Sequence, residues 1–306
     1  MLVFSTKAVL NRDLIVLFNH LEQCQSAGVP IFDSLKEACN LVDHRGLSRA
    51  LDDIHDRVRL GRLMSEGMDD YPKLFSKILV NLIRTGERTG ELTQSFQYCK
   101  DHVSWVENYR RQIKRILRYP IIVMVLFLIL EWINGGVLIQ MSALTGLGLF
   151  IAYKLLRAPG GKTREIGDTI VLKIPMIGKW VEQYSLAKFA SSFAYLFESG
   201  QDMRSSLKYA SQACDNYRLR LELENVSARV KTGQSLYQAF EANGRFPSMV
   251  MRMVKAGETS GNLSKVFHEI SKVYDKDVTD NLDLIMKTMP PVIIIILGLL
   301  FIMKQI

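Results

Sequence analysis

The 306-residue sequence predicts an all-α protein made of two repeated cytoplasmic helical bundles and three transmembrane helices. Three observations lead there: two long apolar stretches, an internal repeat at a nearly constant offset, and no sustained period-two alternation of the kind that marks a sheet.

Between Tyr119 and Tyr153 the one charged residue is Glu131, and between Met289 and Met303 there is none. Asn134-Gly135-Gly136 interrupts the first stretch, which therefore reads as a hairpin of two spans; the second stretch reads as one closing span. Ile121 to Ile133 covers about 20 Å of helix against a hydrocarbon core of roughly 30 Å, so the first span should begin near Ile116, with Arg115 and Arg118 reaching back to the headgroups. The expected order is a bundle over 1–115, a two-helix hairpin over 116–156, a bundle over 157–286 and a span over 287–306. Glu131 sits beside Trp132 and the turn, which suits an interfacial carboxylate better than a buried functional group. Gly135, Gly136, Gly146 and Gly148 would let another helix approach closely.

The repeat is exact in several places. At an offset of 172, Gly28 falls on Gly200, Ser34-Leu35-Lys36 on Ser206-Leu207-Lys208, Ala38 on Ala210, Val58 on Val230 and Gly61 on Gly233. One residue is then lost, and at an offset of 171 Phe75, Ile78, Leu79, Leu82 and Ile83 meet Phe246, Met249, Val250, Met253 and Val254. Both sets follow the spacing of a helix buried on one face. Gly86-Glu87-Arg88-Thr89-Gly90-Glu91-Leu92 then meets Gly257-Glu258-Thr259-Ser260-Gly261-Asn262-Leu263, and Pro120 meets Pro291. Leu14, Leu17, Phe18 and Leu21 open the first copy; Phe189, Phe193, Leu196 and Phe197 open the second.

The net charge of +8 divides into +3 over residues 1–118 and +5 over 154–287, too little in either half to suggest nucleic acid. Basic residues crowd the membrane edges instead. Arg110, Arg111, Lys114, Arg115 and Arg118 precede the first span, and Lys154, Arg157, Lys162 and Arg164 follow the second, which puts both flanks in the cytoplasm. Residues 1–13 lack a cleavage pattern, so no removed signal peptide is expected. Cys24, Cys39, Cys99 and Cys214 form no C-x-x-C pair, and the five histidines are scattered; both sets read as packing or surface residues, with no metal or cofactor expected. Gly161-Lys162-Thr163 has the tail of a phosphate-binding loop, but Leu156 stands where its first glycine belongs and a membrane helix precedes it.

The doubled G-E-x-x-G-x-L signature, each copy upstream of a proline that opens an apolar span, resembles the family of the type II secretion F protein and the type IV pilus C protein. The Ala27-Gly28-Val29-Pro30 and Ser199-Gly200-Gln201-Asp202 turns are similar to that family's turn between its first two helices. In one respect the sequence departs from the family, because almost no loop separates the first two spans. The resemblance implies a non-enzymatic platform in the bacterial inner membrane. Its implied partners are a hexameric cytoplasmic assembly ATPase, pilin or pseudopilin transmembrane helices, other inner-membrane assembly proteins, the lipid bilayer and further copies of itself.

Gly86, Glu87, Gly90, Leu92, Gly257, Glu258, Gly261 and Leu263 are the signature positions and candidate partner contacts; Gly28, Gly200, Pro120 and Pro291 are turn and span-entrance positions. Gly86 and Gly257 are expected to take the left-handed helix cap, with Thr89 and Ser260 capping the next helix. Glu87 and Glu258 then either accept backbone N–H bonds at the new helix start or face a basic partner. A corner that only sets a packing angle stays open, as do a subunit of an oligomeric transporter and a membrane-anchored scaffold of another envelope complex.

Overall fold

The structure, a computed structural model, describes residues 2–133, 168–169, 172, 177–244 and 246–305. Among them the chain is all-helical. A first run comprises α1 (Leu2–Ser26), α2 (Ile31–Leu41), α3 (Arg45–Arg59), α4 (Met64–Asp69), α5 (Lys77–Thr89) and α6 (Leu92–Ile133). A second run comprises α7 (Ile177–Glu198), α8 (Met203–Ser211), α9 (Tyr217–Lys231), α10 (Leu236–Glu241), α11 (Ser248–Ser260) and α12 (Leu263–Gln305).

Turn geometry recurs between the runs. Gly28 and Gly200 have φ of 78° and 90°, Gly61 and Gly233 of 80° and 94°, and Gly90 and Gly261 of 81° and 73°. Each is a left-handed residue just past a helix end, where a Cβ would be strained.

Of the described residues, those within 1–109, 186–215 and 220–272 form one compact unit and those within 110–185, 216–219 and 273–306 the other. The core of the first unit follows from the apolar stripes. Leu17, Phe18 and Leu21 of α1 are buried with Leu35, Leu47, Leu51, Leu82, Ile83 and Phe96, and Leu196 and Ala213 join them. An aromatic cluster lies in the same unit, with Phe267 at 4.3 Å from Phe193 and 6.3 Å from Phe189 between ring centres. The stripe on α5 is covered throughout, at Ile78, Leu79, Leu82 and Ile83, whereas on α11 Val250 and Val254 are buried and Met249 is 53% exposed.

Pro120 and Pro291 do not begin helices. They lie inside α6 and α12, which start at the corners, 42 and 43 residues long respectively. Among the described residues no helix is long and apolar enough to cross a membrane. Residues 134–167, and with them the Asn134-Gly135-Gly136 turn, the second expected span and Gly161-Lys162-Thr163, lie outside the described residues, as do most side chains of the first and third expected spans, Glu131 included.

Candidate functional site

The two signature segments fold into helix-turn-helix corners. In the first, α5 ends at Gly90, whose N–H donates to the Gly86 carbonyl at 2.8 Å, and α6 starts at Leu92. In the second, α11 ends at Gly261 and the Asn262 N–H donates to the Gly257 carbonyl at 3.0 Å. The helices run farther than expected, so the left-handed residues are Gly90 and Gly261 rather than Gly86 and Gly257. The hydroxyls of Thr89 and Ser260 bond back to Thr85 O at 3.1 Å and Gly257 O at 3.4 Å; they do not cap the next helix.

Gly86 and Gly257 serve a different purpose, close approach. Both are buried within their helices. A Cβ on Gly86 would lie 2.8 Å from Ser95 Cβ, and one on Gly257 would lie 2.9 Å from Val266 Cγ2, below the distance that real Cβ contacts show. The absent side chain lets the outgoing helix fold back against the incoming one. Leu263 is buried beside it, and Leu92 packs half-buried on the core.

Glu87 and Glu258 reach backward along the sequence. Glu87 Oε1 accepts the Met64 N–H at 2.6 Å and Glu87 Oε2 the Ser65 N–H at 3.3 Å. Glu258 Oε1 accepts the Leu236 N–H at 2.6 Å and its Oε2 the Tyr237 N–H at 3.0 Å. Each carboxylate therefore closes the N-terminus of a six-residue helix, α4 or α10, lying more than twenty residues upstream. A negative charge there meets both the orphan N–H groups and the positive end of the helix dipole. The two caps differ in local support. Leu63 offers α4 no side-chain cap, while Ser235 and Gln238 form a capping box on α10. The Ser235-x-x-Gln238 spacing is visible in the sequence; the long-range carboxylate is not.

Both half-buried glutamates leave exposed tips around them, Arg88 to Glu91 in one corner and Thr259 to Asn262 in the other. Such a corner fixes a packing angle and presents a polar surface.

A cavity of about 450 Å³ lies at the start of α5, away from the corner, lined by Ile78, Leu79, His102, Val103, Lys188 and Asp215 among others. His102 is buried, its Nδ1 has no hydrogen-bond partner, and burial pushes it down to about 3, so it is neutral at physiological pH. Lys188 Nζ pairs with Asp215 at 3.0 Å along the wall.

The family model of the type II secretion system (T2SS) protein F matches residues 18–139 and 189–303, each stretch containing one corner. The type IV pilus assembly protein PilC of Pseudomonas aeruginosa is 23% identical, over 96% of this chain and 87% of its own length. The type II secretion system protein F of the same organism is 24% identical, over 94% of this chain and 78% of its own. The type IV pilus assembly protein PilC of Thermus thermophilus is 23% identical over 94% and 79%. With both corners inside the matched stretches, which cover most of the sequence, the chain belongs to the type II secretion system protein F family of non-enzymatic platform proteins.

Proposed function

We propose that the chain is the inner-membrane platform of a type IV pilus or type II secretion machine, coupling a cytoplasmic assembly ATPase to the insertion or extraction of pilin-like subunits. In this reading both helical runs are cytoplasmic bundles, and three spans, including the hairpin, hold them to the membrane and meet pilin helices. One observation carries it: a glutamate-capped corner occurs twice, and each opens a helix of more than forty residues that contains the proline of an expected span entrance.

Because the carboxylates of Glu87 and Glu258 already hold backbone N–H groups, the partner surface is assigned to the exposed tips beside them. Arg88 in the first tip offers an acidic partner a bidentate donor.

The test is twofold. Single cysteines at Ser48 and Ser227, in a chain lacking its four native cysteines, should resist a membrane-impermeant thiol reagent applied from outside, while one at Asn134 should label. Labelling at Ser48 or Ser227 would overturn the topology. The full chain should also co-purify with a hexameric assembly ATPase, and Arg88→Glu should weaken that capture without lowering the melting temperature. Unchanged capture by the folded variant would remove the tip from the partner surface.

A further inference from the structure

We infer that His20, Cys24 and Glu37 form a zinc-binding site that clamps α1 to α2, with a fourth coordination position open to water or an incoming ligand. His20 and Cys24 are four residues apart on α1, so their side chains share a face. Glu37 comes from α2, on the far side of the Gly28 turn. The three donor atoms all lie within 4.8 Å of one another.

Two of the spacings are close to those between ligands of one ion. His20 Nε2 is 3.5 Å from Cys24 Sγ and 3.5 Å from Glu37 Oε2. The first is a thiol–imidazole contact and the second a histidine–carboxylate contact. Tetrahedral zinc, with Zn–S of about 2.3 Å and Zn–N and Zn–O near 2.0 Å, separates its sulfur and nitrogen ligands by about 3.5 Å and its nitrogen and oxygen ligands by about 3.3 Å. Cys24 Sγ also lies 3.8 Å from His20 Nδ1, beside the ring, so the imidazole turns about its Cβ–Cγ bond to aim Nε2 at a shared ion.

The ligand types point to the same ion. One thiolate, one imidazole and one carboxylate make a mixed set of borderline softness, which suits zinc and disfavours magnesium or calcium. The His20 side chain is 19% exposed and that of Glu37 is 65% exposed, so the ion has a path in. Binding replaces the Cys24 thiol proton, which passes to solvent. Only the folded chain brings α2 to α1, so the ion would also stabilise that pairing.

The full chain, purified in detergent under reducing conditions, should bind zinc in competition with a chromophoric chelator at one equivalent per chain. Cys24→Ser and His20→Gln should each weaken binding by about a hundredfold or more, at or beyond the upper end of what loss of an outer-shell partner costs. Cys39→Ser should leave it unchanged, since that thiol bonds the Leu35 carbonyl of its own helix. Cobalt in place of zinc should give a thiolate charge-transfer band that Cys24→Ser removes. Zinc-free melting temperatures equal to the parent's would establish that both variants fold. The site is refuted by sub-stoichiometric zinc binding in the parent chain, by tight binding that survives Cys24→Ser combined with His20→Gln, or by a cobalt complex without the thiolate band.

Discussion

Ser95 occupies the space that a side chain on Gly86 would need, with its Cβ 2.8 Å from where a Gly86 Cβ would stand. Ser95 is itself 2% exposed and has little room to yield. Gly86→Ala should therefore destabilise by about 1–3 kcal/mol, even after alanine's helix preference returns up to about 1 kcal/mol. Ser95→Gly in the same chain should recover most of the loss. At Gly90 the cause is different: nothing lies within 4 Å, but φ is +81°. Gly90→Ala should cost about 1–2 kcal/mol through the backbone alone, and Ser95→Gly should not rescue it. Denaturant unfolding of the four variants separates the two causes.

The glutamate caps should not be equivalent. Glu87→Ala removes the side-chain cap from α4 and should cost about 1–2 kcal/mol. Glu258→Ala leaves the Ser235–Gln238 box on α10, so its loss should be smaller. Glu87→Gln keeps one amide oxygen for the Met64 N–H and should fall between the parent and Glu87→Ala. Equal losses for the two alanine variants would show that the capping box does not compensate.

His102 makes stability depend on pH. Its folded value, about 3, lies below the ordinary histidine value because burial disfavours the charged ring, with Lys188 adding to the effect. Below about pH 6.5 the unfolded chain binds a proton that the folded chain refuses, so stability is full above that pH and falls by about 1.4 kcal/mol per unit toward pH 3. By pH 5 the loss should be about 2 kcal/mol. His102→Gln should flatten that slope in the detergent-solubilised protein, whatever it does to stability at pH 8. An unchanged slope would move the titration to another group.

Phe267 is fully buried and meets Phe189, Phe193 and Phe240. Phe267→Ala should cost about 3–5 kcal/mol, while Phe267→Leu, which keeps more of the volume, should cost less. Loss of near-ultraviolet circular dichroism before helix content would identify this cluster as what fixes the packing.

Helix content and the buried stripes were legible because the period of Leu14, Leu17, Phe18 and Leu21, and of Ile78, Leu79, Leu82 and Ile83, is set by local geometry. The turns at Gly28 and Gly200 were legible for the same reason. The corner misled at Gly86, where glycine answers to a neighbour nine residues away rather than to its own φ. Glu87 misled further. Its partner, Met64, lies 23 residues upstream, and no short window contains both. At His20 and Cys24 half the signal was present, a spacing of four, but a third ligand on α2 depends on how two helices pack. His102 looked like any scattered histidine, since burial does not show in sequence. His44 proved to be a local device: its ring accepts the Leu47 N–H at 3.1 Å and caps α3.

Six residues are too few to form a helix unaided, because nucleation fixes several dihedral angles before the first bond offsets them. Met64–Asp69 and Leu236–Glu241 therefore lean on their buried faces and on a carboxylate from the following helix, α5 or α11, with the capping box adding local support to the second. The amide protons of Met64 and Leu236 are shielded by a side chain rather than by a carbonyl of their own helix. Their hydrogen exchange should then report the detachment of α5 and α11, each short helix opening together with the helix whose carboxylate it holds. A force applied at either corner would be felt first as the melting of a helix more than twenty residues away in sequence.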